Sequence, residues 1–294
     1  MINDQLAGQP QGSTGTVRST VAGTDRIFPE IRAIAAFIVL VLVLASAILY
    51  LMPDRTADFF AWTIKPAMTP LLMGAGYLSG AWFFIGALRA RGWHEITRGF
   101  FPITAFTWFM GLATVLHWDR FNHNHVSFYA WTILYIITPF LVPALWLRNR
   151  VTDPGTLGAS DVAVPERIRL AATVVGAGML VIALFLFIVP DVAISIWPWQ
   201  LTALTARVVA GWFALPGVVG LVLGREARWS AWRILIQSQL IALALILVAV
   251  VRAWGDFKTA NPLTWVFIAG ITGLLAAATA LYLAMDARRR TPAA

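Results

Sequence analysis

Arg207 is the residue whose type and place most invite chemistry. It lies about six residues into an apolar run that opens near residue 201, roughly 9 Å along a helix. A cation at that depth is costly and is by default a functional candidate. It suits an anionic group such as a carboxylate or a phosphate head. The competing reading is structural. Helical side chains tilt toward the N-terminus, so an Arg near a helix start can snorkel outward, or pair with Asp191 or Asp256. Trp199, Thr205, Asp256, Asp119 and Lys65 fall at the same boundary and complete a candidate ligand-binding set with Arg207.

A second cluster is His117-Trp118-Asp119-Arg120-Phe121-Asn122-His123-Asn124-His125. Imidazole and carboxylate suit Zn or Cu, which makes His117, Asp119, His123 and His125 weak metal candidates. Their spacing follows no zinc signature, and a solvated capping loop is the simpler reading. The neighbouring aromatics, Trp62, Trp118, Trp197, Trp254 and Trp265 among them, fit ordinary interfacial anchoring. No Ser/His/Asp set falls at usable depth, and no Asp, Glu or His lies deep in an apolar run, which argues against a proton relay. The chain has no cysteine, so disulfides, Fe–S clusters and thiolate chemistry are excluded. No cofactor is implied, and an enzyme is the least favoured class.

The elements that position these residues are membrane spans. The chain is 59% hydrophobic and 12% charged, against roughly 25% charged in soluble domains. Eight apolar runs are long enough to cross a bilayer: about 32–52, 67–88, 99–117, 126–147, 169–190, 201–223, 231–251 and 262–284. The third is the weakest, because Pro102 and Thr107 interrupt it and His117 ends it. The expected class is therefore an all-α polytopic membrane protein. Of 22 basic residues, 16 fall on one side of the alternating connections and five on the other. The net charge of +8 is thus a topology signal, not a nucleic-acid one, and it places both termini in the cytoplasm, with the cell membrane as the location. Only Lys65 and Lys258 among the basic residues are lysines, a weak hint of GC-rich bacterial coding.

The chain also repeats itself. At an offset of 137, Ile31-Arg32 matches Ile168-Arg169, Pro53-Asp54 matches Pro190-Asp191, and Trp62 matches Trp199. At 136, Pro29-Glu30, Thr69, Arg89, Trp93, Trp118 and Phe121 recur as Pro165-Glu166, Thr205, Arg225, Trp229, Trp254 and Phe257. The expected organisation is a disordered tail (1–28), a four-helix repeat (29–150), a linker (151–165), a second repeat (166–288) and a short C-terminal tail (289–294). Four spans per unit give both copies one orientation, related by an axis near the membrane normal.

The stretch Trp62-Thr63-Ile64-Lys65-Pro66 with Thr69-Pro70 is faintly similar to the Trp-and-Lys-Pro loop of tryptophan-rich sensory proteins. The likeness is confined to this loop, and the second copy, Trp197-Pro198-Trp199, lacks the Lys-Pro, so no family is assigned on it. The leading functional expectation is a module or transporter that handles a lipid or small anionic ligand at the outer face. The alternative is a non-catalytic subunit of a larger membrane complex, with the bilayer and other subunits as partners.

Overall fold

A computed structural model describes residues 23–158 and 161–290. The long helices are α1 (Pro29–Ser46, continued by a π turn over Ala47–Leu51), α3 (Met68–Arg89), α4 (Phe100–Leu116) and α5 (Val126–Asn149). They are followed by α6 (Glu166–Ile188), α8 (Ala203–Leu223), α9 (Trp229–Arg252) and α10 (Pro262–Arg290). Two short helices, α2 (Thr56–Phe59) and α7 (Pro190–Ile196), lie in the loops. The eight long helices are apolar enough to cross a membrane, and no strand occurs among the described residues. The protein is thus an all-α, multi-pass membrane protein. A bilayer demands this, since only helices satisfy every backbone group within one segment.

The weakest expected span forms for local reasons. Pro102 is the third residue of α4, where its missing N–H would have no intrahelical acceptor. The hydroxyls of Thr104 and Thr107 donate to the carbonyls of Phe100 and Thr104, which hides them from lipid.

α3 packs on α1, and α8 on α6; α4 packs on α5, and α9 on α10. Across the halves, α4 packs on α8, α9 on α3, and α3 on α8. Replacing α1, α3, α4 and α5 by α6, α8, α9 and α10, and the reverse, maps this set of pairs onto itself. The α4–α5 hairpin therefore leans on α8 and the α9–α10 hairpin on α3, so the two halves interlock. Glycine permits the closest approach. A Cβ on Gly220 of α8 would lie 2.4 Å from the Ala172 carbonyl of α6, and one on Gly76 of α3 would lie 2.2 Å from the Trp212 ring.

The two ends of the bundle differ. The terminal end carries residues 23–28 and the last turn of α10; the opposite, distal end carries the loops 52–67, 117–125, 189–202 and 253–261. The tail expected over 1–28 begins to be held before α1. Ile27 is buried, the Asp25 N–H donates to the Thr152 carbonyl at 2.8 Å, and the Trp93 N–H donates to the Asp25 carbonyl at 2.9 Å. The linker is likewise pinned, with the Trp229 N–H donating to Val162 O at 3.0 Å. The rest of the expected tail, residues 1–22, lies outside the described residues, as does 291–294.

Candidate functional site

Arg207 sits in the second turn of α8, half-buried. Its Nε donates to the Phe187 carbonyl at 3.1 Å, its Nη1 to His117 Nε2 at 2.6 Å, and its guanidinium lies over the Phe187 ring. Phe187 is in the last turn of α6, and His117 is the residue that ends α4. The cation therefore meets the negative ends of two helix dipoles. Pairing with Asp191 or Asp256 was the structural alternative; neither carboxylate reaches it. The His117 imidazole is held below its ordinary pKa, by burial first and by the Arg207 charge next, against the opposing pull of Asp119. It stays neutral at pH 7 and presents a lone pair to the guanidinium.

Asp256 does different work. Its Oδ2 accepts from the Met68 N–H at 2.8 Å, so a loop after α9 caps the start of α3. Thr205 is buried in a capping box with Thr202 at the start of α8. Asp119 is exposed beside Arg120, 3.4 Å away, and Lys65 is exposed with no carboxylate partner among the described residues.

Trp199 is fully buried, and its Nε1 donates to Thr69 Oγ1 on α3 at 3.0 Å. Its ring packs on Trp197, Phe257 and Phe267, with centroids 5.2–5.5 Å away. Trp62 packs on Phe60, Phe121 and Trp131 at 4.9–5.1 Å, a cage of like composition. The backbone matches too: Asn122 N–H donates to Ala61 O, and Lys258 N–H to Pro198 O, each at 2.8 Å. The Trp62 indole N–H, unlike that of Trp199, has no partner among the described residues. Asp256, Thr205 and Trp199 are thus drawn into caps and cages, Asp119 and Lys65 stay exposed, and Arg207 and His117 meet directly.

The histidines do not converge. His123 Nε2 meets the Trp118 carbonyl, and His125 Nδ1 meets Ser127 at the start of α5. Among the described residues no group of three or more His, Asp or Glu side chains is placed to hold a metal.

At the terminal end lies a buried ionic cluster that the sequence reading passed over. Arg228 pairs with Glu226 at 2.8 Å and with Asp153 at 2.7 Å, and Arg98 pairs with Glu226 at 2.7 Å. Burial alone would raise the Glu226 pKa, but hydrogen bonds from Arg228 and Arg98 bring it down to about 2. The same bonds push Arg228 further up, and Asp153 is held below its ordinary value.

Within the membrane layer two adjoining cavities, about 130 and 280 Å³, share Gly76, Gly80, Phe83, Ile103, Trp212 and Leu215 as walls. The larger is almost wholly apolar and includes Tyr77 and Tyr135, whose hydroxyls bond each other at 2.8 Å. The smaller carries Ser79, Ser238 and Gln239 between α3 and α9. The buried Ser238 hydroxyl and the Trp212 indole N–H have no partner among the described residues. The sequence signal for this site is the small-residue pair Gly76 and Gly80 on α3. Comparison with protein-family models, with curated proteins and with solved structures finds no match for this chain.

Proposed function

We propose that the protein is a binding module or transporter for an apolar or amphiphilic small molecule, held between two tandem four-helix repeats. The observation that carries this reading is the pair of cavities beside α3 and α8. Together they reach the lower part of the roughly 300–1,000 Å³ range of ordinary ligand sites. Their walls are apolar with a few polar groups, two of which have no partner of their own. A buried hydroxyl left unsatisfied costs about 1–3 kcal/mol, and a ligand that bonds it recovers that cost.

Several features support the repeat, residues 29–150 and 166–288. The helix pairs interchange, the aromatic cages match, and the Asp25 and Asp161 carboxylates each accept from the backbone N–H one residue after a matched tryptophan, His94 and Ser230. Duplicated bundles place ligands at their shared interface. Both termini are cytoplasmic in this reading, in the cell membrane. The outer anion site at Arg207 gains less support, since the Nε and Nη1 of that guanidinium already reach Phe187 and His117.

Organic extraction of the purified protein, followed by mass spectrometry, tests the proposal. A ligand in fixed proportion should be recovered, and Ser238→Leu should deplete it without loss of thermal stability. No ligand from the wild type, or equal recovery from the variant, would sink it. The alternative, a subunit of a larger complex, is favoured by α10. Only 6% of its apolar window is buried, and a Cβ on Gly270 or Gly273 would meet open space. Membrane crosslinking to a partner that depends on Gly270→Leu would favour that second reading.

A further inference from the structure

A separate cavity of about 800 Å³ opens at the terminal end between α3, α9 and the end of α10. Five arginines line it: Arg89, Arg91, Arg228, Arg233 and Arg289. Arg228 is neutralised by Glu226 and Asp153, and Arg233 and Arg289 share Asp286. Arg89 and Arg91 have no carboxylate partner among the described residues.

The three carboxylates on the wall are turned to other tasks. Asp25 accepts from the backbone and ring of His94. Glu95 Oε1 accepts from the N–H groups of Arg91 and Gly92. Asp161 accepts from the N–H of Val162 and from the N–H and hydroxyl of Ser230. Glu95 therefore braces its own loop, and Asp25 and Asp161 each fasten their segment to another. On the membrane side the cavity is closed by a chain in which Trp82 Nε1 donates to Gln237 Oε1 and Gln237 Nε2 donates to the Tyr282 hydroxyl. Arg89 is the last residue of α3, and Arg233 the fifth of α9, so both stand at the depth where apolar helix gives way to polar surface.

We propose that this cavity binds a phosphate ester, with Arg89 and Arg91 as its principal contacts. The planar guanidinium fork matches two phosphate oxygens, and Arg89 and Arg91 are the wall cations that no carboxylate engages among the described residues. The phosphate can come from the headgroup of an anionic lipid or from a soluble phosphate. This site is independent of the apolar cavities, and its test does not touch them.

The full-length protein is reconstituted with phosphatidylcholine alone or with added phosphatidylglycerol, and bound lipid is measured by native mass spectrometry. In the second arm, inorganic phosphate and glycerol 3-phosphate are titrated onto the phosphatidylcholine sample by thermal shift. Preference for phosphatidylglycerol assigns the headgroup source; a shift with the soluble probes assigns the free one. Arg89→Gln with Arg91→Gln should weaken the responding probe about tenfold or more, since one charge-assisted contact supplies roughly that factor. Arg89→Lys with Arg91→Lys keeps the charge, loses the fork, and should fall between. Arg167→Gln with Arg225→Gln, exposed at the same end but off this wall, should leave binding unchanged. No response of the wild type to any phosphate probe overturns the proposal. So does an equal loss in the Arg167/Arg225 variant, which marks a merely basic surface.

Discussion

Removing the Arg207 charge should both destabilise the protein and change how its stability responds to acid. The guanidinium makes one bond to a neutral imidazole at 2.6 Å and one to a helix-end carbonyl at 3.1 Å. A hydrogen bond from a charged donor contributes about 1.5–3 kcal/mol. Gln at this position reaches neither partner with a charge. At about 2–4 °C per kcal/mol for a chain of this size, Arg207→Gln should lower Tm at pH 7 by roughly 3–12 °C. The acid response follows from His117. Its folded pKa lies below the ordinary 6.5, so as pH falls through 6.5 the unfolded chain takes up the proton first. Stability therefore drops on acidification until the folded pKa is passed. Without Arg207 the folded pKa rises toward 6.5 and that drop shrinks. His117→Gln should flatten the same pH interval by removing the titration. Thermal unfolding of detergent-solubilised protein from pH 7.5 to 5, in steps of about half a unit, reads both effects. An Arg207→Gln variant with unchanged Tm and an unchanged acid slope refutes the reasoning. If that variant also binds an anionic ligand more weakly, Arg207 serves the ligand and not the helix ends.

Trp199→Phe keeps the aromatic cage but deletes the bond to Thr69, and should cost about 1 kcal/mol. Thr69→Val should cost a similar amount and the double variant little more, a non-additivity that thermal unfolding detects. Glu226→Gln breaks the buried ionic cluster and should cost about 3–5 kcal/mol at pH 7. Since Glu226 has a folded pKa of about 2 against an ordinary 4.5, the wild type should lose stability as pH falls below 4.5, and the variant should lack that limb. Asn124→Cys and Leu157→Cys place single exposed thiols at opposite ends of a cysteine-free chain. An impermeant reagent added to intact cells should label the first and spare the second; the reverse pattern overturns the cytoplasmic placement of the termini.

The spans were legible because lipid leaves a chain little choice: about 20 apolar residues and no unpaired backbone. Even Pro102 gave a local reason to doubt α4, and its place in the first turn removes the doubt. The partners of the polar residues were far less legible. Arg207 and His117 are 90 residues apart, and only the packing of α4 on α8 brings them together. Asp256 matched the charge of Arg207 but is drawn to the backbone N–H of Met68, a donor that side-chain types do not reveal. Thr24-Asp25 and Ser160-Asp161 precede Pro29-Glu30 and Pro165-Glu166 at one constant offset, yet in polar, low-complexity surroundings they read as tail and linker. Their carboxylates fasten chain to loop at the terminal end.

The distribution of satisfied and unsatisfied groups explains why a ligand is better sought inside than at the distal face. Polar groups in a low-dielectric setting are costly unless paired, so a protein that uses them for folding leaves them paired. At the distal end Trp199, Thr205, Asp256 and Arg207 each have partners within the fold. A ligand at these four residues would compete with bonds that hold helices together. Beside α3 and α8 the reverse holds. Ser238 and Trp212 line space bounded by glycine and aromatic rings and carry buried donors with no partner among the described residues, which a ligand could satisfy. The same asymmetry separates Arg228, fully committed to its carboxylates, from Arg89 and Arg91, which face their cavity uncommitted. Both proposed sites rest on what the fold has left unpaired, and not on the mere presence of charge.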